Sequence, residues 1–280
     1  MNSTTKTTET KTLVLGGTGK TGSRVAQRLM QDGWPVRIGS RAGEPPFDWQ
    51  NNATWKPALH DINAVYITFQ PDLAVPGAVE TIRSFAETAV QNGIQHLVLL
   101  SGRGEPEAQE CEQAVMNSGS AWTIVRASWF NQNFSEGYLL DPIRDGYVTL
   151  PVANIGEPFI DADDIADVAV AALTQTGHAG QVYDLTGPRL LTFAEAVSEI
   201  AHATGRPIQY EPCLLTDYVS ALTEHGVPAE YVGLLTYLFS EVLDGRNASL
   251  TNDVARVLGR KPTDFAEYVQ KTAASGVWGE

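Results

Sequence analysis

Hydrophobic and polar positions group in blocks along the first half of the chain. Residues 12–15 (Thr-Leu-Val-Leu) form a short apolar run that meets Gly16-Gly17-Thr18-Gly19-Lys20-Thr21-Gly22. Val25, Ala26, Leu29 and Met30 then follow at the i, i+1, i+4, i+5 spacing of a helix with one buried face. Asp32-Gly33 closes that helix with a residue that tolerates a left-handed conformation, and a second apolar segment spans 35–39. The opening predicts strand, glycine turn, helix, strand: one βαβ unit.

The alternation continues with a strand over 64–69, a helix over 74–92 ended by Gly93, a strand over 96–100, a helix over 106–117 ended near Gly119, and a strand over 122–126. These strands are apolar throughout, which suits a parallel sheet covered on both faces. The predicted fold class is therefore α/β, a doubly wound parallel sheet. Beyond residue 130 the rhythm loosens into aromatic and Pro-rich loops around 129–130 and 151–159. A helix over 163–173 and a strand over 181–185 come next, and then mainly helical patterns over 193–204, 216–224, 228–243 and after Pro262. The expected organisation is a frayed tail over 1–11, a nucleotide-binding domain over 12–155 and a smaller, mainly helical substrate lobe over 156–280. Strand 181–185 is expected to return to the main sheet, with a cleft between the lobes.

Composition narrows the function classes. Across 280 residues, 43% are hydrophobic, which excludes a mostly disordered chain. No apolar run approaches the roughly 18 residues of a membrane span. Nineteen basic residues against 33 acidic ones leave a net charge of −14, and the basic residues do not cluster, so nucleic acid is not an expected partner. Cys111 and Cys213 are the only cysteines, which leaves neither a disulfide framework nor a structural zinc site. Residues 1–11 are Thr- and Ser-rich without an apolar stretch, unlike a signal peptide. A cytoplasmic protein acting on a small molecule is expected. The helix over 228–243 carries enough apolar residues for a homodimer face, or for internal packing.

Gly16, Gly19 and Gly22 fit G-x-x-G-x-x-G between a strand and a helix. One glycine lets the backbone turn sharply, another leaves room for a pyrophosphate, and the helix N-terminus offers N–H groups and a positive dipole end. Gly16, Thr18, Gly19, Lys20, Thr21 and Gly22 are accordingly candidate cofactor-binding residues; the competing reading is a tight structural turn. Gly19-Lys20-Thr21 also ends like a phosphate-cleaving loop, but the glycine that motif needs at position 14 is Val14, and no later strand ends in a magnesium-binding carboxylate. After the second strand stands Gly39-Ser40-Arg41 where an NAD-selective chain places an acid. Arg41 can pair with a 2′-phosphate and Ser40 can donate to it, which favours NADP(H). A solvated surface arginine is the alternative.

Candidate catalysts are scarce. None of the nine tyrosines is followed four residues later by lysine, so the usual Tyr-Lys acid pair of short-chain dehydrogenases is absent. There is no G-x-S-x-G elbow, the five histidines lack ligand spacing, and no metal site is expected. Asp161, Asp163 and Asp164 open a helix, where carboxylates cap free N–H groups. No catalytic residue is assigned.

The glycine turn with Ser40-Arg41, Leu99-Leu100-Ser101-Gly102, the run from Trp122 to Phe134, and the run from Phe159 to Ala166 together resemble the NmrA-like branch of the atypical short-chain dehydrogenases/reductases. Phe-Asp-Trp at 47–49 and Ala-Thr-Trp at 53–55 are similar to the subgroup containing ergot-alkaloid iminium reductases, the agroclavine and festuclavine dehydrogenases. The branch also holds NADPH:quinone reductases, triphenylmethane-dye reductases and non-catalytic NADP-binding redox sensors. The resemblance implies a Rossmann-type fold with NADP(H) at the glycine turn. It places Phe69, Gln70 and Ser101 beside the nicotinamide half, and Trp129, Phe130, Asn133 and Phe159 near the substrate. Some members keep a lysine on the helix after the fourth strand; here 107–112 offers none. Trp129, Phe130 and Phe134 could equally be core at helical spacing, and Asn133 could cap local backbone. Hydride transfer to an imine or iminium, a quinone or a similar conjugated electrophile is the expected reaction, because it needs little acid help. The rival expectation is a redox sensor of the NmrA type.

Overall fold

The computed structural model describes residues 11–279. The expectation of a frayed tail falls on residues 1–10, outside the described residues, apart from Lys11. Strand β1 (Thr12–Leu15), helix α1 (Lys20–Gln31) and strand β2 (Val36–Gly39) form the opening βαβ unit. Helix α2 (Trp55–Leu59), strand β3 (Ala64–Ile67), helix α3 (Ala78–Gln91), strand β4 (His96–Gly102), helix α4 (Pro106–Met116) and strand β5 (Ala121–Ala127) continue it. Next come α5 (Leu140–Asp145), β6 (Tyr147–Leu150), α6 (Ala162–Thr174), β7 (Gln181–Leu185), α7 (Phe193–Thr204) and β8 (Gln209–Pro212). The chain ends with α8 (Leu215–Glu224), α9 (Ala229–Tyr237), α10 (Asp253–Leu258) and α11 (Phe265–Ala274).

Six strands make one sheet in the order β2-β1-β3-β4-β5-β7. Strand β1 pairs in parallel with β2 and with β3, and β3 with β4. The chain steps from β1 to one side for β2 and to the other for β3, the reversal at which open α/β sheets bind ligands. A second, two-stranded parallel sheet, β6 with β8, has no counterpart in the sequence pattern. Its β8 reads Gln-Tyr-Glu-Pro and is largely exposed, so no hydrophobic run marks it.

The described chain divides into two compact units. One holds the residues up to Ser101 with Glu107–Val125 and Ala166–Tyr183; the other holds Gly102–Pro106, Arg126–Ile165 and the residues from Asp184 onward. The boundary therefore crosses the chain several times instead of falling once near residue 155. In the first unit Leu13, Leu15, Val65, Ile67, Leu97 and Leu99 from the strands pack with Ile82, Phe85, Ala86 and Ala89 of α3. In the second unit the core is aromatic, with Phe134, Phe159, Phe193, Phe265 and Trp278 among its members.

Two helices differ from the pattern. Helix α3 begins at Ala78, after Pro76-Gly77, and not at 74. The segment over 228–243 is not one α-helix: α9 stops at Tyr237 and a π turn over Leu238–Val242 follows, burying Phe239 and Val242. Neither α8 nor α9 contributes a buried residue, although both are rich in apolar side chains. Among the described residues no helix is long and apolar enough to cross a membrane.

Candidate functional site

The first unit builds its candidate site from backbone. Strand β1 delivers the chain to Gly16, which takes φ +60°; a Cβ there would lie 2.1 Å from Thr68 Oγ1. At Gly22 a Cβ would come within 2.2 Å of the Gly16 carbonyl oxygen, because α1 lies directly against the turn. The protein's own packing thus explains two of the three glycines. Gly19 is different: a Cβ there would meet only the Gly16 carbonyl oxygen, at 3.3 Å. Gly19 is the N-cap of α1, with no side-chain cap and no acidic residue in the first turn. Its N–H donates to Gly16 O at 2.8 Å and its carbonyl accepts from Ser23 N at 3.0 Å, which fixes the turn. A helix end of this kind suits an anion, and the space a side chain would fill at Gly19 suits a pyrophosphate. Thr18 is exposed at the tip, Lys20 is half-buried, and Thr21 is buried.

Parallel register brings further candidates to the same strand ends. Leu15 pairs with Gly39, so Ser40 leaves the sheet level with Gly16. The Ser40 carbonyl accepts from Gly43 N at 3.0 Å and Phe47 N at 2.8 Å, forming a turn that leaves Arg41 exposed. Arg37, on β2 itself, is committed to the carbonyls of Ala58 and His60 at 2.8 and 2.6 Å. Arg41 makes no hydrogen bond or ion pair with another described residue. Ile67 pairs with Leu99, which sets Phe69 level with Ser101. Phe69 is half-buried with its ring 5.0 Å from that of Trp49, while Gln70 is exposed.

Ser101 has a partner that the sequence reading passed over. Its Oγ donates to Glu112 Oε1 at 2.7 Å, with the serine 4% exposed and the glutamate 0%. The signal was present: Glu112 shares the buried face of α4 with Ala108, Cys111 and Val115. Cys111 beside it is buried, and burial and then the carboxylates of Glu110, Asp72, Glu112 and Glu80 push its thiol up to about 12, which disfavours the thiolate.

The second unit builds a site from side chains. Directly after β5, Ser128 N donates to Leu185 O at 3.1 Å and Asn131 N to Ile160 O at 2.8 Å, while Trp129 O accepts from Ile160 N at 2.9 Å. Trp129 N donates to Glu157 Oε1 at 3.2 Å. Ser128 Oγ, Trp129 Nε1 and both amide atoms of the Asn131 side chain are buried without a hydrogen-bond partner. Such orphans are uncommon in folded interiors and need an account. Glu157 is buried as well; desolvation pushes its carboxyl up to about 7, opposed by the Trp129 N–H and the charge of Arg103. Neither Asn131 nor Glu157 carried a sequence signal, because both lie in loops without periodicity.

The other predicted pocket residues fall in the same unit. The Trp129 ring packs edge-on against Phe193 and tilted against Phe239, with ring centroids 5.7 and 5.8 Å apart. Phe130 is half-buried and bridges to Ile160. Asn133 is half-buried in a short 3-10 helix over Asn131–Phe134. Phe159, 2% exposed, sits among Phe134, Phe193 and Phe265 and so has a packing role. The acidic run over 161–164 is structural. Asp161 Oδ1 accepts from Asp163 N and Gln132 Nε2 at 2.8 Å each, and Asp164 accepts from Arg260 Nη1 at 2.6 Å and Thr263 N at 2.7 Å. Among the described residues no group of three or more His, Cys, Asp or Glu is placed to hold a metal ion.

Comparison with known proteins follows the same lines. No family model matches the chain. It is 31% identical to the NAD(P)H azoreductase of Xenophilus azovorans, over 94% of this chain and 98% of that protein. It is 30% identical to the uncharacterized oxidoreductase YesF of Bacillus subtilis, over 94% and 95%, and 30% identical to the agroclavine dehydrogenase of Claviceps fusiformis, over 95% and 98%. Among solved structures, the NADPH-dependent quinone oxidoreductase of Escherichia coli, complexed with NADPH, superposes with a TM-score of 0.78 at 20% identity, covering 93% of this chain and 99% of that one. The negative transcriptional regulator NmrA, in complex with NAD, gives 0.71 at 18% identity, covering 96% and 98%. At those identities the structures speak for the fold.

Proposed function

The chain belongs to the NmrA-like branch of the atypical short-chain dehydrogenases/reductases, and from that premise we propose that it is an NADP(H)-dependent reductase of a small conjugated electrophile. The observation that carries this reading is Gly19. It is the one glycine of the turn that internal packing does not require, and it stands at the uncapped N-terminus of α1. An azoreductase and a clavine dehydrogenase among the relatives support the same reaction class.

The residues present fit the dinucleotide. The first-turn N–H groups of α1 and its dipole would hold the pyrophosphate against Gly19. The exposed Arg41 would pair with a 2′-phosphate, to which the Ser40 hydroxyl can donate. When bound, the reduced dinucleotide supplies a hydride. The chain's own part would be to orient it, and the Ser101 hydroxyl supports such a role: with its hydrogen given to Glu112, its oxygen can accept from a carboxamide N–H. Trp129 and Phe130 would offer a flat apolar wall to an aromatic or cyclic substrate.

The test is NADPH oxidation with a panel of quinones, azo dyes and cyclic imines, beside a fluorescence titration of NADPH. Turnover with at least one class and preference for NADPH over NADH are expected. No uptake of either dinucleotide overturns the reading. Tight binding without turnover of any acceptor replaces it with a redox sensor.

A further inference from the structure

Tyr66 lies in β3, pairs with Val14 of β1 and is 0% exposed. Side chains alternate across a strand, so Val65 and Ile67 join the core against α3 while Tyr66 turns to the opposite face, the face that Thr68 shares. An apolar ring would satisfy such a position, yet here it carries a hydroxyl. That hydroxyl is buried without a hydrogen bond of normal geometry. Burial raises its pKa well above the ordinary value, and the Thr21 side chain is the one group that acts against the shift. The phenol is therefore a neutral donor with Thr21 within its reach.

Thr21 is the second residue of α1 and is 4% exposed. Its N–H belongs to the first turn, whose donors have no carbonyl partner inside the helix. Its hydroxyl has no other partner among the described residues. The same face of β3 supports the rest of the glycine turn. Thr68 Oγ1 donates to Leu15 O at 3.1 Å and stands 2.1 Å from where a Cβ on Gly16 would lie. Strand β3 thus backs the turn at two levels, with Thr68 behind Gly16 and Tyr66 behind Thr21. The lower level is one hydrogen bond short, which is uncommon for a buried hydroxyl.

We propose that Tyr66 is a positioning residue for the coenzyme pyrophosphate, its hydroxyl donating to Thr21 Oγ1 when an anion engages the first turn of α1. This rests on the dinucleotide reading above. Tyr66 touches no ligand and acts through Thr21 alone. Helix α1 starts without a side-chain cap, so no capping side chain fixes its first residues. The hydroxyl gains in the bound chain a bond it lacks in the free chain, and that difference adds to affinity. A phenylalanine would fill the same space and make no such difference. The pyrophosphate is common to both dinucleotides, so the gain is the same for NADPH and NADH, unlike that of Arg41.

The test is Tyr66→Phe in the full chain. Without coenzyme its thermal midpoint should be unchanged or raised by up to about 2–4 °C, because an unsatisfied hydroxyl has been removed. Calorimetric titration should show NADPH and NADH both weakened by the same factor, about 5- to 10-fold. Thr21→Val keeps the branched shape and should give a similar loss, and the double variant no more than either alone. Wild-type affinity in Tyr66→Phe would overturn the proposal. So would a fall in both midpoint and affinity, which would mean a hydroxyl that supports packing in the free chain. A loss confined to Thr21→Val, or losses that simply add, would mean that Thr21 acts without Tyr66. A wild-type chain that takes up neither dinucleotide rejects the dinucleotide reading itself, and the proposal with it.

Discussion

The glycine turn of the first unit and the Ser128–Asn131 segment of the second leave different groups unpaired. At the turn they are backbone N–H groups at the uncapped end of α1, with no side chain at Gly19 to cover them. Along Ser128–Asn131 the backbone is already committed to Leu185, Ile160 and Glu157, and the groups left over are side-chain atoms. The first arrangement lies at a surface turn; the second lies in the packed interior, with Ser128 3% and Asn131 0% exposed.

The sharpest way to break the comparison lies inside the turn. Gly19→Val should reduce NADPH affinity by at least about 100-fold while lowering the thermal midpoint far less than Gly22→Val, because its Cβ presses on one carbonyl oxygen at 3.3 Å and on nothing closer. Gly22→Val should instead lose the fold, since its Cβ would be driven to 2.2 Å from backbone. Calorimetric titration and melting of both variants check this. Unchanged affinity in Gly19→Val would make the turn purely structural.

The next effect belongs to the second unit and is one of stability. The Glu157 carboxyl stands near 7 in the folded chain against 4.5 ordinarily, so the folded state binds the proton more tightly. Its contribution is fully present below pH 4.5 and is lost as pH rises through 7. Glu157→Gln, which cannot ionise, should therefore gain on the wild type by up to about 3 kcal/mol in mildly alkaline solution and by nothing in acid. Denaturant melts at both pH values measure it, and an equal difference at each would refute the buried-acid assignment.

Arg41→Ala should weaken NADPH by about 10- to 100-fold, the range of a charge-assisted hydrogen bond, and leave NADH unaffected. Equal losses for both coenzymes would mean that Arg41 does not meet the 2′-phosphate.

What the sequence made legible follows the same division. The β1–α1 turn and the exposed Arg41 were readable because a backbone site is written in consecutive residues: glycines at fixed spacing, a strand before and a helix after. The apolar strands placed Ser101 and Trp129 at strand ends for the same reason. Glu157, Asn131 and the β6–β8 pair were not readable. Their surroundings come from contacts such as Glu157 with Leu191 and Trp129, between segments far apart in the chain, and their residues carry no hydrophobic period. The acidic run at 161–164 was readable as helix capping at Asp161, but nothing local announced that Asp164 would anchor Arg260 and Thr263.

Ser101 and Glu112 test whether the division is strict, since this pair is a side-chain device inside the backbone-built unit. Ser101→Ala leaves the fully buried Glu112 carboxyl without its 2.7 Å donor and should cost about 1–3 kcal/mol. Glu112→Gln still offers a carbonyl oxygen to the serine and should cost less than about 1 kcal/mol. Combining the two should cost less than the sum, because the amide tolerates loss of the hydroxyl better than the acid does. Thermal melts of the two single variants and the double variant give that coupling. If the costs simply add, the bond is incidental. If they couple and NADPH affinity also moves, then Ser101 links the buried face of α4 to the coenzyme, and the first unit reads its ligand with side chains after all.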